Sequence, residues 1–118
     1  MDKIIDGLKH YLFSWRALFT YSLFIFIISV IPIEASLGLS FSDKIFHFLI
    51  YGILSVTATN VFLLKKKRHP HFLSLAYAFL FGLFIELVQS FLPYRSFELV
   101  DIAANFLGGI LGCLIKIV

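Results

Sequence analysis

Residues 43–68 read DKIFHFLIYGILSVTATNVFLLKKKR. From Ile45 to Leu64 no residue is acidic or basic except His47, and Lys65, Lys66, Lys67 and Arg68 then stop the run. Twenty helical residues rise about 30 Å, the thickness of a bilayer's hydrocarbon core. Inside lipid each backbone polar group needs a partner within the segment, which a helix supplies and a lone strand does not. The stretch therefore reads as a membrane-spanning helix with its basic end in water.

Working outward, three further stretches have the same character. One covers about 17–33, preceded by Trp15 and Arg16 and ended by Pro32 and Glu34; another covers 72–92, closed by Pro93; the last covers 99–118. The whole composition agrees, with 14% charged residues and 60% hydrophobic ones. A soluble domain carries about 25% charged residues, so a soluble fold is excluded. The expected architecture is an all-α integral membrane protein: one domain over 1–118, a compact bundle of four transmembrane helices. The first fourteen residues put Ile4, Ile5, Leu8, Tyr11 and Leu12 on one helical face, which suits a short interfacial helix. A cleaved signal peptide fits less well, because Asp2 and Asp6 precede a long apolar stretch.

Alternating the sides places Lys3, Lys9, Arg16, Lys65, Lys66, Lys67, Arg68 and Lys116 together, with Lys44 and Arg95 opposite. By the positive-inside rule both termini are then cytoplasmic. The basic run serves as a topology determinant, and no nucleic-acid partner is implied. The single Cys113 forms no intramolecular disulfide.

The costly letters in such a chain are the polar ones within the helices. Asp43, His47 and Tyr51 recur every four residues and form a stripe; Glu86 and Gln89 share a face, as do Asp101 and Asn105. Lys44 and Arg95 flank the same level. Ala104, Gly108 and Gly112 allow a neighbouring backbone to approach closely, and Gly52 and Gly82 do the same on their helices. Asp43 and Asp101 also suit helix starts, where a carboxylate meets the positive end of the dipole. Glu86 and His47 are the hardest to read as packing residues alone.

Taken together, these positions resemble the VanZ-like family, named for a protein associated with teicoplanin resistance. The resemblance rests on Asp43-Lys44, His47 and Tyr51, then Glu86, Gln89, Arg95, Asp101, Asn105, Gly108 and Gly112, spaced E-x2-Q-x5-R-x5-D-x3-N-x2-G-x3-G. It implies a bacterial cytoplasmic-membrane protein of the cell envelope, with its polar site on the extracytoplasmic side and an effect on glycopeptide susceptibility in some relatives. It implies no particular reaction.

Three functions are compatible with these residues. In the first, Lys44 and Arg95 hold an anionic membrane lipid or lipid-linked envelope precursor, with Tyr51, Gln89, Asp101 and Asn105 completing a ligand site. In the second, an intramembrane hydrolase or transferase uses Glu86 and His47 as acid–base groups, with Asp43 orienting His47. Ser90 and Ser96 are near in sequence but neither sits beside an evident base. The third is a small transporter, for which Ser55, Thr57, Thr59 and Asn60 make too short an inner path. No ligand spacing points to a metal and no cofactor is expected. The first function is the expectation carried forward; whether bonds are broken, and whether copies associate, stays open at this level.

Overall fold

A computed structural model describes residues 2–30, 40–93 and 99–118, with side chains from residue 45 onward in the middle stretch. The described residues form five helices and no strand: α1 Asp2–Leu12, α2 Trp15–Val30, α3 Ser40–Leu64, α4 Pro70–Ser90 and α5 Leu99–Cys113. Over Ile45–Leu64 α3 is long and apolar enough to cross a membrane, and so is α4 over its whole length. The N-terminal helix expected from the sequence is present, buries none of its residues, and meets α2 at a bend of 48°. Together α1 and α2 have the length and composition of one bent span. At the bend, the Ala17 amide donates to the Ser14 hydroxyl oxygen (3.2 Å), so Ser14 caps α2.

The last helix corrects the expected span over 99–118. It stops at Cys113, after 15 residues and about 22 Å of rise. The Leu114 and Ile115 amides turn back to the Leu111 and Gly112 carbonyls, three residues earlier, which tightens the last turn as the helix ends. Beyond it Asn60 of α3 replaces the helical partners. Its Oδ1 accepts from the amides of Ile117 (2.7 Å) and Val118 (3.1 Å), and its Nδ2 donates to the Ile115 carbonyl (3.1 Å). A tail whose backbone is satisfied by a side chain has no need of a helix.

The closest pairing is α3 on α5, and glycine is the reason. A methyl group at Gly108 would overlap the Phe48 carbonyl oxygen, and one at Gly112 the Gly52 carbonyl oxygen. The backbones therefore touch, as small-residue faces permit. Ser55 Oγ donates across the seam to the Gly109 carbonyl (2.7 Å). At the far end of α3, Thr59 donates to Ser74, and His71 Nδ1 donates to the Cys113 carbonyl. His71 lies in the first turn of α4. Pro70 starts that helix, where its missing amide hydrogen costs no bond, and the preceding His69 takes the left-handed conformation (φ 52°).

The polar links from α2 to the rest end largely on backbone groups. Tyr21 donates to the Ile50 carbonyl (3.0 Å) and Gln89 Nε2 to the Ser29 carbonyl (2.9 Å). Ser22 spends its hydrogen on Leu18, so Tyr77 donates to Ser22. Trp15 rests on Phe62 (ring centroids 5.7 Å apart), with Lys67 Nζ 5.9 Å above the indole. Successive helices α2 to α5 thus alternate in direction, which gathers Arg16, Lys65–Arg68 and Lys116 at one end.

Candidate functional site

At the other end of the bundle, three helices bring polar side chains to one level. His47 and Tyr51 stand one turn apart on α3, Glu86 and Gln89 on α4, Asp101 and Asn105 on α5. All six are buried, and Glu86 is 0% exposed. Because α3 and α5 run antiparallel with their backbones in contact, the His47–Tyr51 stripe and the Asp101–Asn105 stripe face each other.

The imidazole of His47 is held on both edges. Its Nδ1 lies 3.1 Å from Asn105 Oδ1, so Nδ1 carries the hydrogen and donates. Its Nε2 lies 3.8 Å from Asp101 Oδ2. Tyr51 stacks against the same ring, with centroids 6.4 Å apart and planes 4° from parallel, and touches Phe81 on its other side. Gly82 makes this convergence possible. A Cβ there would stand 3.0 Å from Asn105 Nδ2 and 3.3 Å from Tyr51, so even an alanine would make those two side chains shift by a few tenths of an ångström. Among the described residues, the Tyr51 hydroxyl and Asn105 Nδ2 have no hydrogen-bond partner. Two buried polar atoms thus remain available to a ligand or water.

Beside His47 and Tyr51 a crevice of about 20 Å³ opens toward α2, bordered by Ser29, Ile25 and Ile50. That is room for about one water molecule. An imidazole set between a carboxylate and an amide can accept or pass a proton, and the amide and phenol can orient an oxygen-rich group. Ser90 is not placed as a nucleophile. It is exposed and donates to the Leu87 carbonyl of its own helix. Among the described residues no three His, Cys, Asp or Glu side chains converge to hold a metal ion.

Of the site residues read from the sequence, His47, Tyr51, Glu86, Gln89, Asp101 and Asn105 come together. Asp43 and Lys44 lie in the first turn of α3, and their side chains fall outside the described residues, as does Arg95. Asp101 supplies a carboxylate beside His47; the sequence reading offered that role to Asp43, whose side chain lies outside the described residues. Ser29, whose carbonyl receives Gln89, was not singled out, and an isolated serine in an apolar span carries little signal.

The polar pattern can be set against known families. The pattern that defines the VanZ/LLP1 family matches residues 7–118. The chain belongs to that family. This VanZ/LLP1 chain is 32% identical over 114 residues to an uncharacterized protein of the fission yeast Schizosaccharomyces pombe, a match covering 97% of the chain and 70% of the relative. No solved structure matches the VanZ/LLP1 chain.

Proposed function

We propose that this VanZ/LLP1 protein holds the anionic head of a membrane lipid or lipid-linked envelope precursor at the end of the bundle opposite its basic residues. In this reading residues 1–118 are one domain that crosses a bacterial cytoplasmic membrane four times, with both termini cytoplasmic. Lys44 and Arg95 supply the positive charge, and Arg suits phosphate because its planar fork binds two oxygens at once. The observation that carries the reading is the clamping of His47 between Asp101 and Asn105, at the level of Tyr51, Glu86 and Gln89. Burying so many polar groups in an apolar bundle is costly, and a site that orients a polar head accounts for it. The yeast relative favours a phosphate-bearing head common to bacterial and eukaryotic membranes over a peptide of the bacterial wall. Sequestering such a lipid would lower teicoplanin susceptibility where the drug's anchor uses the same surface.

The Asp101–His47 pair supports a second reading, acid–base catalysis on a lipid-linked substrate with Glu86 as the other titrating group. One experiment separates the two. Wild type, Arg95→Gln and Glu86→Gln, at matched membrane levels, are compared for retained anionic lipid by native mass spectrometry and for teicoplanin susceptibility in a sensitive Gram-positive host. The binding reading expects saturable retention by wild type, loss in Arg95→Gln, and both retention and protection in Glu86→Gln. Retention without protection in Glu86→Gln turns the case to catalysis. No saturable retention by wild type refutes binding.

A further inference from the structure

A second feature lies at the opposite, basic end. At the bend between α1 and α2 lies an open groove of about 750 Å³, within the roughly 300–1,000 Å³ typical of ligand sites. Its lining is graded. Tyr11, Ser14 and Arg16 stand at the elbow, and Thr20, Tyr21 and Phe24 continue along α2. Arg16 is exposed, and among the described residues no carboxylate pairs with it. Beside it Trp15 is 45% exposed, the half-covered position of an indole at a membrane interface. The apolar residues of α1, among them Ile4, Leu8 and Leu12, are open to their surroundings, as in a helix lying in the head-group layer.

We propose that this elbow binds one anionic phospholipid from the leaflet on the basic side, with its phosphate on the Arg16 guanidinium and one acyl chain running along α2 past Tyr21 and Phe24. Charge complementarity selects the occupant. The groove offers one unpaired cation at the level of the head groups, the Thr20 hydroxyl beside it, and an apolar wall below. A zwitterionic lipid would bring its own cation against Arg16. A soluble peptide would leave the wall along α2 without an apolar counterpart.

Trp15 is the chain's single tryptophan and the chain neighbour of Arg16, so it serves as the reporter. The purified full chain is placed in phosphatidylcholine vesicles containing brominated phosphatidylglycerol, and quenching is compared with that by brominated phosphatidylcholine. The expected preference for the anionic lipid is about fivefold, the worth of one basic residue at an anionic surface. Arg16→Gln is expected to remove the preference. Thr20→Phe, which fills the groove while keeping Arg16, is expected to remove it too, and it carries the test if Arg16→Gln does not reach the membrane. Lys67→Gln, beside the indole but outside the groove, is expected to keep it. Arg95→Gln, at the other end, is also expected to leave it intact, which separates this site from the one proposed above. Preference retained in Thr20→Phe, or lost only in Lys67→Gln, would overturn the proposal.

Discussion

Replacing Gly108 by alanine tests the contact on which the polar cluster depends. The new methyl group would overlap the Phe48 carbonyl oxygen and stand 3.1 Å from the Gly52 amide nitrogen. Both are backbone atoms within helices, so no side chain can swing aside and α3 and α5 must separate. Overpacking of this kind costs about 1–3 kcal/mol. Separation also lengthens the Ser55–Gly109 bond, worth about 0.6 and at most about 1.7 kcal/mol in a membrane. Alanine's better helix propensity returns up to about 1 kcal/mol. The net loss expected is about 2 kcal/mol. Gly52→Ala on the same seam is the internal control, because its methyl group meets the Gly108 carbonyl oxygen at 3.4 Å, an ordinary contact. It should be neutral or slightly stabilising. Reversible unfolding in mixed detergent micelles, followed by far-ultraviolet circular dichroism, measures both. Equal stabilities for the two variants, within about 0.5 kcal/mol, would refute the argument from backbone contact.

Two further outcomes follow from side chains that hold backbone. Asn60→Leu removes the acceptor for Ile117 and Val118 and should cost about 1–3 kcal/mol; hydrogen exchange should accelerate at those two amides while α4 stays protected, and unchanged exchange there would contradict the clasp. Gln89→Leu removes the link to Ser29 and should loosen α2 by about 0.6–1.7 kcal/mol; faster exchange in α2 with α3 and α5 unaffected is the expected result, and a uniform rise across all helices would mean that Gln89 does not act on α2 in particular.

The long apolar runs made α3 and α4 legible at once, since about twenty mostly apolar residues leave few alternatives to a membrane span. The helix-period stripes likewise put His47 with Tyr51, Glu86 with Gln89, and Asp101 with Asn105. What the stripes do not carry is register between helices. That register is fixed by the methyl-free contact of Gly108 and Gly112 with the α3 backbone, which slides Asp101 and Asn105 level with His47 and gives the imidazole a carboxylate from another helix. The end of α5 was illegible for a related reason. Residues 114–118 are as apolar as the helix before them, and only the position of Asn60, 55 residues away from Ile115, shows that their backbone is satisfied elsewhere. Asn60 and Thr59 looked like a meagre polar path, but their partners make them fasteners.

The glycine seam also bears on which parts of the site can move. His47, Asp101 and Asn105 ride on two helices whose backbones touch, so they behave as a stator. Ser29 rides on α2, tied to this body by Tyr21, Tyr77 and Gln89, and the one-water crevice lies between the two. If α2 swings, the imidazole geometry is conserved while a side door to the lipid phase widens. A ligand entering by that door is counted by its mole fraction among neighbouring lipids rather than by its molarity in water. Diluting the bilayer with inert lipid would then slow its arrival, even at constant total concentration.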